Sequence, residues 1–434
     1  MSLQSTASRS LRLTGALVMV CLASCSDDER RGVGEETTSS GSPGIRLHLP
    51  RTEPTVRVRL ESGRIDDGPI TVGERGITLE IDGESDSTSR LPGPVLVEHR
   101  GNHWIVRSAP NGEPIHHSGS TIRIRSDEPL RIAGGEHRFA GVLHCIASES
   151  GSWHLVEHVS MEDYIPGVLA GELYAGWNVS CYAAQAVAAR SFACMEVQMR
   201  SHRDWDVVAS PASQAYVGIT ENRTAHEAQA MTRGMVLSWN EQLVPGYFSS
   251  CCGGLAATAV DQISPSPVND IPPLEGHDGD DPCSNSPLFE WKIDRSARVL
   301  HRRLAAWSSH HRNHPLERLT SIESIDVHRR NRHGRPNILR ITDRGGRRAD
   351  LTIQEFLEAS NFRGEGAPRS SMKPLWSGWS SGSVDRGRIT IKGHGFGHGV
   401  GLCQYGAQEL GVQGKSFREI LKWYYPESDI HAGW

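Results

Sequence analysis

Between Ile45 and Glu157 apolar and polar residues alternate in short runs, among them Val56-Arg57-Val58-Arg59-Leu60, Ile77-Thr78-Leu79-Glu80-Ile81 and Ile122-Arg123-Ile124-Arg125, separated by Gly, Asp, Asn and Pro. A period of two puts alternate side chains on one face, so the stretch predicts half-buried strands joined by turns. The pattern changes at Ser160-Met161-Glu162-Asp163, which has the form of a capping box and opens a helix carrying Tyr164, Val168 and Leu169. From Cys181 to Met199 the chain is rich in alanine and free of Gly and Pro, which predicts a second helix able to pack closely against a neighbour. Between the two helices, Ala170 to Trp177 forms a loop or helix end that combines Glu172 with the rings of Tyr174 and Trp177.

Downstream, residues 235–239 and 242–248 read as strands, and 264–287 is an excursion rich in Pro, Asp and Gly. A helix is expected over 298–309, strands over 322–327 and 338–342, a helix over 352–359, a strand over 388–392, and helices over 401–410 and 416–424. No internal repeat is present. The expected fold class is α+β, with a β-rich N-terminal region over 45–157 followed by a mixed α+β domain over 158–434.

The first 25 residues carry Arg9 and Arg12, an apolar run from Ala16 to Ala23 too short to span a bilayer, and small residues before a cysteine. Leu22-Ala23-Ser24-Cys25 resembles the lipobox of bacterial lipoproteins, which implies lipidation at Cys25 and an exported, lipid-anchored protein on the periplasmic or cell-surface face of the envelope. Residues 26–44 are polar and small enough to serve as a flexible tether. With 46 basic against 51 acidic residues, the net charge of -5 gives no electrostatic basis for nucleic-acid binding. The cluster Arg329, Arg330, Arg332 and Arg335 reads as a solvated loop face. Past Cys25 the cysteines are odd in number, and Cys181 and Cys194 fall in the alanine-rich helix as small core residues.

Three segments carry a family resemblance. Met161 to Glu172, followed by Ala184-Gln185-Ala186-Val187-Ala188-Ala189-Arg190-Ser191, is the first; Tyr247-Phe248-Ser249-Ser250-Cys251-Cys252-Gly253-Gly254 is the second; Gly393-His394-Gly395-Phe396-Gly397-His398-Gly399 through Gln404-Tyr405-Gly406-Ala407 is the third. Together, and in this order, they resemble the stage II sporulation protein D family, which includes the amidase enhancers.

The resemblance implies a peptidoglycan lytic transglycosylase that needs no cofactor for its reaction, with Glu172 at the catalytic glutamate position. A carboxylic acid in a partly apolar cleft has its pKa raised toward proton donation, and Tyr174 and Trp177 supply apolar wall. Gln185, Arg190, Ser249, Ser250, Arg369, Ser370, His394, His398 and Gln404 are the expected glycan-binding residues. As a serine nucleophile, Ser249 or Ser250 lacks an elbow motif and an evident triad. The glycines around His394 and His398 argue for a loop rather than a metal-binding helix. Some relatives bind zinc near the serine and glycine segment, which makes Cys252, His277 and Cys283 candidates for a structural zinc site, with a disulfide from Cys283 to Cys251 or Cys252 as the alternative. The enhancer label offers a different role, in which the domain binds wall glycan and stimulates a partner N-acetylmuramoyl-L-alanine amidase without cutting it.

Overall fold

The computed structural model describes residues 46–434 apart from 65–67, 84–87, 102, 110, 133, 149–150 and 370–371. The leader, Cys25, the tether and Ser370 therefore lie outside the described residues. Among those described, no helix is long and apolar enough to cross a membrane.

The alternating stretch builds a seven-stranded sheet in the order Val207–Val208, Thr55–Arg64, Ser152–Ser160, Val142–Ala147, Thr121–Arg125, Thr78–Asp82 and Thr88–Pro92. Only the pairing with Val207–Val208 is parallel. Val56, Val58, Leu79, Ile81, Ile122 and Ile124 all point inward and are fully buried, as a period of two requires. A four-stranded antiparallel sheet of Ile70–Val72, Val95–Arg100, His103–Ser108 and Ile115–Ser118 follows the same rule.

Helix α1 (Met161–Glu172) starts where the strand Ser152–Ser160 ends, with the Ser160 hydroxyl accepting the Asp163 amide at 3.2 Å. Helix α2 (Val179–Met199) is buried through most of its circumference, Cys181 and Cys194 included, and its alanines admit neighbours on several sides. The fully buried Arg190 of α2 meets Glu162 of α1 with two hydrogen bonds of 3.0 Å each. The same carboxylate accepts the Gly234 amide at 3.0 Å, the Trp434 indole at 3.1 Å and Gln229 of α3 (Arg223–Met231) at 2.6 Å. A further guanidinium nitrogen bonds the Met235 carbonyl at 3.0 Å. One ion pair thus ties together three helices, the strand Met235–Trp239 and the C-terminus.

A second hydrophobic cluster lies between residues 291 and 391. Its six-stranded antiparallel sheet has the order Glu290–Ser296, Arg388–His394, Ser380–Asp385, Ser324–Arg330, Pro336–Thr342 and Arg348–Thr352. Helices α4 (Ala297–Ser308) and α5 (Ile353–Asn361) supply Leu300, Leu304, Phe356 and Leu357 to this cluster. The chain then returns to the first cluster through α6 (Gln404–Val412) and α7 (Phe417–Tyr424).

Two elements differ from expectation. The strand expected over 242–248 splits into Gln242–Leu243 and Phe248–Ser249, because Pro245 has no amide to give a ladder. The helix expected from Gly401 begins at Gln404: Gly401 has φ +63°, and Leu402–Cys403 pairs in parallel with Phe248–Ser249 instead.

Replacing Arg190 with alanine leaves Glu162 buried without its cation, and the expected loss is about 3–5 kcal/mol of unfolding free energy at pH 7 in urea titration. Burial pushes the Glu162 carboxyl up, but Arg190, Gln229 and the Gly234 amide outweigh it and hold it below its ordinary value. Its contribution is therefore complete above about pH 4.3, the unfolded value, and fades as pH falls through the folded one, so the gap between wild type and Arg190→Ala narrows in acid.

Candidate active site

Glu172 is the last residue of α1 and reaches a cavity of about 890 Å³. The Ala215 amide donates to Oε1 at 2.7 Å and the Gln404 side chain to Oε2 at 3.2 Å, so both carboxyl oxygens are fixed from separate segments. Burial raises the Glu172 carboxyl above its ordinary value, and these two donors only partly oppose it. A carboxyl shifted in this direction is favoured as a proton donor to a leaving oxygen.

The segment after Glu172 forms an aromatic wall. Tyr174 and Trp177 lie 5.3 Å apart between ring centres, and Tyr405 of α6 stands 5.0 Å from Trp177. The Asn178 amide bonds Gln408 at 2.7 Å, which holds this wall against α6. Tyr174 is 45% exposed although aromatic, and its ring borders the cavity. Further lining comes from Ser249, Ser250, Phe396 and His398, and from Gln354, Leu357 and Trp376 of the second hydrophobic unit. Glu196 also borders the cavity, but its carboxylate pairs with Arg200 at 2.5 Å.

Of the residues expected in the cleft, Glu172, Ser249, Ser250, His398 and Gln404 line the cavity. The Ser249 hydroxyl accepts the Gly399 amide at 3.1 Å and so pins the glycine loop. Burial lowers His398 to about 4, with Arg335 adding to the effect, so its ring is neutral. Its Nδ1 accepts the Val400 amide at 3.0 Å. Among the described residues no serine–histidine hydrogen bond is present at the cavity, which counts against the serine hydrolase reading.

Five expectations need correction. Arg190 is fully buried and its guanidinium is committed to Glu162 and the backbone, so it is not available to a ligand. Gln185 is also fully buried in α2, away from the cavity lining. His394 ends a strand and stacks on Trp379 at 4.7 Å, and Arg369 is exposed; neither lines the cavity. Arg335, read as part of a solvated face, is buried, bonds the Cys252, Leu255 and His398 carbonyls, and lies over the Trp379 ring. The alanine-rich run has no wide polar stripe to tell cavity from core, and a basic loop does not reveal which of its arginines turns inward.

Behind the cavity wall, ligand atoms of Cys252, Asp281, Cys283 and Cys403 lie within 4.8 Å of one another, all buried. The Sγ atoms of Cys251 and Cys252 stand 3.5 and 3.6 Å from that of Cys283, and all three thiols are free. Neither oxygen of Asp281 has a hydrogen-bond partner among the described residues, although the His277 imidazole is 3.5 Å away. A buried carboxylate amid thiols is the donor set that a zinc-type ion satisfies, so the residues fit such a group. Asp281 and Cys403 thus join the expected Cys252 and Cys283, while His277 stands behind Asp281. Asp281 and Cys403 are far apart in sequence, and no spacing motif links them.

The stage II sporulation protein family profile matches residues 149–239, the span that holds α1, α2, α3 and Glu172. A domain of unknown function (DUF8618) matches residues 274–401, which include the second hydrophobic unit. An uncharacterized protein of Brachyspira hyodysenteriae is 29% identical over 278 residues, covering 64% of this chain and 68% of that one. The amidase enhancer of Bacillus subtilis is 25% identical over 297 residues, covering 61% of this chain but 40% of the relative. Stage II sporulation protein D of the same organism is 24% identical over 292 residues, covering 63% and 75%. The matched helices carry Glu172, and the matches to relatives of both names extend well beyond those helices, so the chain belongs to the stage II sporulation protein D and amidase enhancer family.

Proposed function

We propose that this protein is a cell-wall lytic transglycosylase that cleaves the glycosidic bond between N-acetylmuramic acid and N-acetylglucosamine in peptidoglycan strands. The observation that carries the reading is the Glu172 carboxyl, held by the Ala215 amide and Gln404 at an apolar-walled cavity that burial makes favourable to its protonated form. Glu172 gives its proton to the bridging oxygen as the bond to C1 breaks. The resulting carboxylate takes the proton of the muramic acid C6 hydroxyl as that oxygen attacks C1. The products are a 1,6-anhydro end and a free hydroxyl on the departing sugar, and Glu172 returns to its acid form. Because the sugar's own hydroxyl replaces water, the second carboxylate of an ordinary glycosidase is not required, in keeping with the pairing of Glu196 to Arg200.

The name of one relative, amidase enhancer, supports a second reading in which the cavity binds glycan and a partner amidase does the cutting. Under either reading the chain acts in the cell envelope, tethered through lipidated Cys25. We also assign a structural zinc to Cys252, Asp281, Cys283 and Cys403, where it would neutralise the buried ligands and tie the segment preceding α6 to the 251–254 turn; it takes no part in the proton transfers.

Digestion of purified, peptide-stripped sacculi should release 1,6-anhydro-muramic ends with wild type and at least about 100-fold fewer with Glu172→Gln. Equal release by both would overturn the catalytic assignment, while binding without release by wild type would favour the enhancer role. Glu172→Gln should also raise Tm at pH 7. A carboxyl whose folded pKa is raised costs stability once pH exceeds its unfolded value of about 4.3, so the gain shrinks toward pH 4. Elemental analysis of protein purified without chelator should find one zinc per chain, lost in Cys283→Ser together with several degrees of Tm; a metal-free wild type with a Cys283 disulfide would sink the zinc assignment.

A further inference from the structure

Trp376 is a large aromatic side chain with no part in the proton transfers. It packs at the margin of both hydrophobic clusters, remains half-buried and borders the cavity. Its backbone is held from two sides. Toward the second unit, the Asn361 side chain at the end of α5 accepts the Leu375 amide at 2.8 Å and donates to the Leu375 carbonyl at 3.0 Å. Toward the first, the Trp376 carbonyl accepts the Gly397 amide at 3.0 Å, and the ring meets Phe396 at 5.3 Å between centres. A fixed segment thus presents the ring to the cavity.

Helix α5 adds to the same wall. Gln354 and Leu357 are three apart, which places them on one face of the helix, and both border the cavity. Gln354 donates to Glu358 at 2.9 Å, which orients its amide oxygen as an acceptor. A pyranose ring carries C–H groups on its faces and hydroxyl or acetamido groups on its rim, so it calls for a flat apolar surface with polar groups at the edge. Trp376, Leu357 and Gln354 supply that combination. The glycine loop separates this wall from the aromatic one beside Glu172. Its start carries Phe396 against Trp376, and at its middle a side chain on Gly397 would meet Ser249 at 2.8 Å. Its end leads through Leu402–Cys403 to Gln404, the partner of Glu172. At about 890 Å³ the cavity stands near the top of the roughly 300–1,000 Å³ range of ligand sites, and a single sugar at the cleaved bond does not fill it.

We propose that the second hydrophobic unit forms a glycan subsite beyond the bond that Glu172 cleaves: Trp376 stacks on the face of an N-acetylated sugar while Gln354 accepts a hydrogen bond from its rim. The segment matched as a domain of unknown function holds both residues, whereas the family profile holds Glu172. One unit grips the strand and the other cuts it. The fixed backbone on either side of Trp376 keeps its ring in place before the sugar arrives, so little ordering is left for the binding step.

The proposal rests on the reading of the cavity as a glycan site, but it can be measured without any turnover. In a Glu172→Gln background, titration calorimetry with chitotetraose, a β-1,4-linked tetramer of N-acetylglucosamine, reads binding directly. Trp376→Leu keeps an apolar side chain but removes the flat face, and it should weaken chitotetraose binding by about tenfold. Trp376→Phe should stay within about threefold of the parent, and Gln354→Ala should lose about threefold. Val384 packs against the second cluster and does not line the cavity, so Val384→Ala loosens the unit without touching the subsite and should leave the affinity unchanged. On stripped glycan, Trp376→Leu in the otherwise native chain should raise KM about tenfold with kcat nearly unchanged. Equal chitotetraose affinity in Trp376→Leu and its parent would overturn the proposal, as would a parent that does not bind chitotetraose. Binding that depends on Trp376 in a wild type that releases no anhydro ends would uphold the subsite and overturn only the catalytic reading.

Discussion

The buried pair of Glu162 and Arg190 is the interaction on which the rest of the molecule is arranged. Neither charge can be left alone in the interior, because an unpaired buried ion costs several kcal/mol (about 3–5 on loss of one partner). Glu162 therefore gathers donors from α2, α3, the Gly234 turn and the C-terminal Trp434, and each donor fixes the element that carries it. With its first turn fixed in this way, α1 runs from the capped Ser160 to Glu172 along a defined axis. The pair holds the frame, and the last residue of the same helix carries the chemistry.

Around Glu172 the chain uses segments that are distant in sequence. Ala215 and Gln404 arrive from opposite sides of the carboxyl, and the aromatic wall is closed by Tyr405 meeting Trp177. Cys403, next to Gln404, joins the thiol cluster, so the residue that contacts Glu172 is flanked by one held among Cys252, Asp281 and Cys283. Arg335 closes the back of this arrangement with carbonyl bonds to the 252–255 turn and to His398. The cavity thus has one wall set by α1 and α6 and another supplied by the unit built around α4 and α5, through Gln354, Leu357 and Trp376.

Much of the fold was legible in the order of residues because local chemistry dictates it. The period-two runs became strands, the Ser160 cap opened α1, and the alanine-rich run became α2 nearly at its expected limits. The exceptions have local causes that only pairing reveals: Pro245 interrupts a strand, and Leu402–Cys403 is claimed by Phe248–Ser249 before a helix can begin. The second hydrophobic cluster was harder to see. Both helices and three of its six strands were expected, but Glu290–Ser296, Arg348–Thr352 and Ser380–Asp385 were not, and the separation into a unit of its own depends on contacts between residues as far apart as Trp291 and Ile391.

By itself the sequence determined the α+β character, the family, and Glu172 as the acid to watch, since each is written in a local pattern or a short block of residues. It also singled out Gln404, Ser249, Ser250 and His398, which do line the cavity. Only the tertiary structure decided that Arg190 serves Glu162 and not a ligand, that Arg335 is buried, and that Asp281 and Cys403 meet Cys252 and Cys283. Only there, too, does Ala215 become a partner of Glu172. The physical reason is the same in each case: a polar side chain or a backbone amide carries no mark in the sequence of what it will face. That is settled by which distant segment folding brings within about 3 Å of it.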